Sequence, residues 1–538
     1  MRPVAAPAWF LRSCGGRREP ARLRRRISAL RTATLGVVVG SALAGCAVGP
    51  DFQPPVTAVP AIFAGADASI ADRATDRGDK RPADPARWWR ALKDRELDVL
   101  IDRAIAASPT LEIALNRLQQ ARAQEAVVVG AALPALEATE GGGLGTGSDL
   151  GRGRASQTLV SAENGAGVSN VTNLVGFDAA WQIDLFGKYR RAIEAAQYDV
   201  EAAAAARNVV LIALVADVTR AYLDLRALQM RLAVLRKDVE VAQKYVDFVR
   251  ERFDRGITNE LDVTLAQREL AQLQARVAPL GAQINAARYV IAVLIGEFPE
   301  NLGRELARPG VLPALPARIR AGLPIDLLRR RPDIVEADRQ LASATAAIGV
   351  ATADLFPQVA ISGSVGWQQG PGLSATPINP IWSAGPSVAA PLLDFGRLDA
   401  VVEKADFRTR ELLFNYKETV LNAVREVDTA VDAYAAQQNS LRHLSDALVA
   451  ARRAVSLAQQ RFDRGLTDSL NVIDAQRQEF EIEQQYVSAQ QSAAEQFVTL
   501  YKSLGGGWED YQNLPPMPRP LPAVAAAFKR LVAPDASP

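Results

Sequence analysis

Histidine is almost missing from this 538-residue sequence: His443 is the only one. Ser-His-Asp triads, histidine metal clusters and most general-base chemistry near neutral pH are excluded with it. His443 itself lies in a polar helical stretch and reads as a solvated residue. Cysteine is nearly as scarce, with Cys14 in the basic leader and Cys46 just after it. Removal of the leader leaves one cysteine, which cannot form an internal disulfide, so stability must come from packing. Aromatic residues make up only 6% of the chain, which favours a long helical protein over a large mixed enzyme. Past the leader no apolar run approaches the length of a spanning helix, so the sequence predicts that any membrane crossing uses β-structure. A concentrated basic face is also missing. Residues 1–45 hold nine arginines and one glutamate, and taking these from 62 basic and 60 acidic residues leaves a net charge of −6. Phosphate binding needs the opposite balance, so no nucleic-acid partner is expected. No carboxylate constellation suggests catalysis, and no metal or cofactor site is expected.

The N-terminus is an export signal by pattern. An Arg-rich stretch ending at Arg31 precedes the apolar run Thr34–Leu43, then Ala44-Gly45-Cys46. Small residues before a cysteine resemble the lipobox of bacterial lipoproteins, which makes Cys46 the acylated first residue after residues 1–45 are cleaved. A covalent lipid there is the one non-protein group expected. Arg17-Arg18 and Arg24-Arg25-Arg26 leave twin-arginine export open. Ala47 directs the lipoprotein outward, since the usual retention signal is an aspartate after the cysteine.

The rest of the chain is a duplication. Arg252-Phe-Asp-Arg-Gly-Ile-Thr258 recurs as Arg461-Phe-Asp-Arg-Gly-Leu-Thr467, an offset of 209, and Phe186-Gly187-Lys188 matches Phe395-Gly396-Arg397 at the same offset. The seam Leu211, Val215, Val218, Tyr222, Leu225, Gln229, Leu232 corresponds to Val420, Val424, Val427, Val431, Tyr434, Gln438, Leu441. Alternating steps of four and three are the heptad pattern of helices packed side by side. Each unit therefore predicts one long helix, Lys188–Asp254 or Arg397–Asp463, without Pro or Gly and about 100 Å long. Shorter helices flank them at Leu97–Val129 and Leu261–Ile295, then at Ile325–Ala353 and Leu470–Leu504, two of them stacking end to end along each long one. The expected segments are an extended stretch 46–96, repeat one 97–298, a linker 299–323, repeat two 324–504 and a Pro/Gly-rich end 505–538. The linker and the end should form a belt around the waist.

Before each long helix the period changes to two. Val171, Val175, Phe177, Ala179, Trp181, Ile183 and Leu185 alternate with Gly176, Asp178, Gln182 and Asp184, and Val359, Ile361, Val365 and Trp367 alternate with Ser362, Ser364 and Gly366. Weaker strands are expected near Leu133–Leu144 and at Trp382–Leu392, the latter interrupted by Pro386. One lipid face and one watery face suit a transmembrane barrel. Four strands cannot close one, since single-chain barrels begin at about 8, so several chains must contribute.

The motifs Gly45-Cys-Ala-Val-Gly-Pro-Asp-Phe-Gln-Pro54, Trp88-Trp89, Trp181-Gln-Ile-Asp-Leu-Phe-Gly187, Pro391-Leu-Leu-Asp-Phe-Gly-Arg397 and the two Arg-Phe-Asp-Arg-Gly segments give a strong resemblance in this order. From Cys46 to about Gly507 the chain resembles the TolC/OprM/NodT outer membrane factors, in the lipoprotein branch that serves RND pumps. The resemblance implies a mainly α homotrimer with a shared twelve-stranded barrel in the outer membrane and a helical tunnel in the periplasm. It further implies passive conduction of small molecules such as drugs, an inner-membrane RND transporter that supplies the energy, and a periplasmic adaptor. A type I secretion duct has the same architecture and stays open as an alternative, as does, more remotely, a coiled-coil adaptor protein. The adaptor is expected at the repeat turns, through Arg252, Gly256, Thr258 and Leu261 and through Arg461, Gly465, Thr467 and Leu470. The repeats diverge just beyond: Asp262 and Leu265 correspond to Asn471 and Asp474. In the family, aspartates matching Asn471 and Asp474 form rings inside the tunnel tip, so a gate with one acidic ring at Asp474 and one amide ring at Asn471 is implied.

Overall fold

The structure, a computed structural model, describes residues 47–57, 60, 85–145, 170–302, 305–316, 330–369, 378–467 and 469–511. Cys46 and the leader lie outside the described residues. Within them the elements run α1 (Arg95–Ala107), α2 (Pro109–Ala131), β1 (Ala135–Gly145), β2 (Asn170–Ile183), α3 (Lys188–Asp254), α4 (Glu260–Ala275), α5 (Val277–Leu294), α6 (Pro332–Ala353), β3 (Gln358–Gln369), β4 (Ile378–Ala389), α7 (Arg397–Asp463) and α8 (Ser469–Ser503).

Both long helices have the bounds expected from the sequence, 67 residues each. The heptad seam is their buried face: Leu211, Val215, Val218, Tyr222 and Leu225 are buried on α3, as are Val420, Val427, Val431 and Tyr434 on α7. These residues join Trp88, Phe497 and Tyr501 in one core at the waist, where Trp88 stacks on Tyr501 with ring centroids 5.3 Å apart. The polar interruption of the seam has a use. Gln229 Nε2 donates to Leu306 O at 2.9 Å, and its Oε1 accepts from Gly310 N at 3.1 Å. Arg226 beside it donates to Arg308 O at 3.0 Å and pairs with Glu96. Tyr434 OH on the other repeat donates to Pro316 O at 2.6 Å. Residues 305–316 thus run from one long helix to the other across the waist, tied down by the polar groups that break the apolar pattern.

Three expectations are corrected. The helix expected over Leu97–Val129 is two, because Ser108 precedes Pro109 and is held extended at ψ 123°. The helix expected over Leu261–Ile295 breaks at Arg276, and Pro279, three residues into α5, is the cause: it lacks an N–H and crowds the carbonyl of Ala275. The matching position in repeat two is Ser488, and α8 runs unbroken. Third, Lys188–Asp254 and Glu260–Leu294 do contain 18-residue stretches apolar enough to cross a membrane by length and composition. In α3 that stretch is 56% buried within the chain and forms the waist core.

The strands form one antiparallel sheet in the order β1-β2-β3-β4. Register places Ala138, Phe177, Val365 and Trp382 in one row, and Glu137, Asp178, Ser364 and Ser383 in the next. Apolar and polar rows alternate, as the period-two pattern predicts. Pro380 and Pro386 sit on β4, an outer strand, where a missing N–H costs no ladder bond on the open side.

Candidate functional site

Each long helix ends in the same turn. At the first, Gly256 has φ +70°, its N–H bonds Phe253 O at 2.8 Å, and Ile257 N bonds Arg252 O at 2.9 Å. At the second, Gly465 has φ +71°, bonding Phe462 O at 2.9 Å, and Leu466 N bonds Arg461 O at 2.9 Å. This is the left-handed glycine cap that satisfies the last helical carbonyls. Both glycines face open space. Around them Ile257, Leu261, Leu466 and Leu470 are each more than half exposed, two apolar side chains per turn at a spacing of four.

The expected docking residues are therefore brought together in two turns but are not alike. Gly256, Leu261, Arg461, Gly465 and Leu470 are exposed, while Thr258 and Thr467 are half-buried. Arg252 departs from the expectation. Its guanidinium lies 5.7 Å from the Phe248 ring and 5.0 Å from the Phe462 ring, so it ties α3 to α7 instead of projecting outward. The sequence repeat hides this, because Arg461 at the matching position is exposed.

The positions expected to form a gate follow directly in the chain. Thr258 Oγ1 donates to the Asp262 carboxylate, and in repeat two Asn471 Nδ2 donates to Thr467 Oγ1 at 2.7 Å. The aspartate-to-asparagine difference keeps the threonine bond and reverses its donor. Asp474 is exposed and pairs with Arg477 one turn along at 2.8 Å, so this carboxylate carries its own partial counter-charge.

At the other end the chain returns to the first strand-to-helix corner. Val48 N donates to Phe186 O at 3.1 Å, and Gly49 crosses Gly349 so closely that a Cβ on Gly49 would sit 2.4 Å from the Gly349 Cα. Arg191, buried, donates to Val48 O at 3.2 Å and Gly49 O at 3.3 Å and pairs with Asp51 at 2.6 Å and Glu194 at 2.8 Å. Phe52 packs edge-on against Tyr198. Residues 47–52 form a strap beside the base of the sheet. The cue in the sequence was the pair of glycines, but their separation of 300 residues gives no local signal.

The sheet exposes its apolar rows. Val175, Phe177, Val365, Trp367, Trp382 and Val388 are all about half exposed or more, whereas Ser364 and Ser383 bond each other at 2.8 Å on the other face and Thr139 donates to Asp178 at 2.8 Å. In water this arrangement is unfavourable, and in lipid it is the expected one.

Comparison with known proteins agrees with this geometry. Residues 100–297 and 323–506 match the outer membrane efflux protein family. Nodulation protein T of Rhizobium leguminosarum bv. viciae is 30% identical over 90% of this chain and 95% of its own length. The pyoverdine export outer membrane protein OpmQ of Pseudomonas aeruginosa is 30% identical over 80% of this chain and 90% of its own. The solved structure of the outer-membrane channel OprN superposes with a TM-score of 0.74 at 33% identity, covering 86% of this chain and all of that one. A duplicated pair of long helices, a four-stranded sheet with an exposed apolar face and a match over both repeats lead to one conclusion: this chain belongs to the outer membrane efflux protein family and is an outer-membrane protein.

Proposed function

We propose that three copies of this chain form the exit duct of a tripartite RND-type efflux pump, conducting small molecules passively from a periplasmic helical tunnel to the exterior. One observation carries the reading: a four-stranded sheet with an exposed apolar face, and with an outer edge on each side that pairs with nothing among the described residues, stands on two helices about 100 Å long. Three such sheets joined edge to edge make a closed twelve-stranded barrel, and closure removes every open edge in the bilayer. The four long-helix and flanking-helix layers of each copy then continue the wall into the periplasm. The apolar pairs Ile257/Leu261 and Leu466/Leu470, with Arg461, Gly465 and Thr467, are the surface for a periplasmic adaptor protein, and an inner-membrane RND transporter supplies the energy. Cys46 carries the lipid that anchors the mature chain. In this reading the inner-membrane transporter, not the duct, selects the cargo.

Purified protein reconstituted in planar bilayers tests the reading together with cross-linking. Trimers that give discrete ion currents, and a null strain whose drug efflux returns with the gene, are the expected results. Monomeric protein that gives no current, or unchanged efflux on deletion, refutes it.

A further inference from the structure

The two repeats meet where α3 packs on α6 and on α8, and the α3/α8 seam brings carboxylates together beside one long pair of opposite charges, Asp217 and Lys502. Near the waist, Gln491 Nε2 donates at 3.1 Å both to Asp224 Oδ1 across the seam and to Glu495 Oε1 on its own helix. One amide nitrogen holds two acids together. Arg220 lies 3.7 Å and Lys502 4.0 Å from Asp217, and the Arg220 charge offsets only part of the rise at Glu495. Fourteen residues further along α3, two heptads, Asp238 faces Glu483 and Glu479 of α8. Arg452 of α7 is committed to both glutamates, at 2.8 Å and 3.6 Å. Lys237 neighbours Asp238 on its own helix. Asp238, Tyr245, Glu269 of α4, Gln476 and Arg477 line a cavity of about 40 Å³, and Arg477 is held by Asp474. Asp238 Oδ2 is buried there without a hydrogen-bond partner among the described residues.

An ionised carboxylate without a donor, next to a second carboxylate, is the arrangement that a bound proton relieves. Burial first, and then the Glu483 charge, push Asp238 up to about 7. Burial and then Asp224 raise Glu495 in the same way. We propose that the α3/α8 seam is a proton-operated clasp: a proton held in each acid pair joins the repeats, and its release to solvent loosens the α7–α8 hairpin from α3 and α4. The sign follows from the raised folded values. The contribution to the joined state is complete below the ordinary carboxylate range and is lost as pH rises through about 7. The α7–α8 hairpin ends at the turn just before Asn471 and Asp474, so a loosened seam acts on the tip.

The clasp lies within one chain, so it can be measured whether or not the protein conducts. Arg236 and Glu481 are exposed on α3 and α8; nitroxide labels on Arg236→Cys/Glu481→Cys in the full lipidated protein report the seam by electron paramagnetic resonance. A midpoint near 7 takes the protonated fraction from about 90% at about pH 6 to about 10% at about pH 8. The short-distance population should fall accordingly, and adding Asp238→Asn/Glu495→Gln should hold it constant. Glu483→Gln replaces Asp238→Asn if that variant does not fold. A distance distribution that is the same at both pH values in the parent, or that responds undiminished in the amide variants, overturns the clasp.

Discussion

Replacing Arg191 with Met should free the N-terminal strap without unfolding the helices. The aliphatic stem keeps its place over Gly349, where the Arg191 Cγ already packs closely, so the change removes the guanidinium and little else. Its pairing with Asp51 counts for little, because that carboxylate is 86% exposed. What is lost is the pair of charge-assisted bonds to Val48 O and Gly49 O, about 1.5 kcal/mol each and so ~3 kcal/mol in total. Glu194, partly exposed, can turn to water. At 1.4 kcal/mol per factor of ten, the open strap becomes ~100-fold more populated. Chymotrypsin reads this directly, because Phe52 is shielded only while it packs on Tyr198. When opening and closing are fast relative to cleavage, the cutting rate follows the open population. The variant should be cut after Phe52 on the order of 30 to 200 times faster, with unchanged circular dichroism. A rise below about threefold would show that Phe52 and the Val48 bond hold the strap alone.

Cys46→Ser should lose all lipid labelling, while the proposed barrel should keep much of the protein in the membrane, since a single acyl chain anchors only marginally; equal labelling of both proteins would remove the lipid assignment. Gly465→Trp should abolish efflux while leaving oligomer assembly intact, whereas Gly465→Ala, strained by about 1 to 2 kcal/mol at φ +71° but adding no bulk, should pump nearly normally. Normal pumping and adaptor cross-linking by the Trp variant would reduce the turn to a helix cap. Asp474→Ala releases Arg477 as well as removing a carboxylate, so single-channel cation preference should weaken or reverse, while Asp446→Ala should match the parent; identical selectivity in all three would exclude Asp474 from the gate.

The large elements were legible because they rest on period. A heptad seam held for about six turns in two copies fixes both long helices, and strict alternation fixes β2 and β3, since a one-residue slip would reverse every side chain. The flanking helix breaks were also written in the sequence, at Pro109 and Pro279, but a regular apolar pattern on either side masked them. Contacts between distant segments were not legible. Nothing near Gly49 announces Gly349, and nothing near Asp238 announces Glu483, because which flank of a 67-residue helix meets α8 depends on how the two cross. Arg252 shows the same limit at the tip: two identical heptapeptide positions, one wedged between aromatic rings and one in solvent, are distinguished only by the neighbours that the asymmetric hairpins bring.

The two outer strands carry a consequence for biogenesis. β1 and β4 each present a row of N–H and C=O groups with no partner among the described residues, and in hydrocarbon every such group costs several kcal/mol. A solitary copy thus meets a barrier to insertion that falls only when neighbours cap both sides, so entry into the bilayer and encounter between copies are one kinetic event. Its rate should climb steeply with the amount of chain made. A truncated copy that supplies one strand edge but not the other should poison assembly by stranding its intact neighbours in the periplasm.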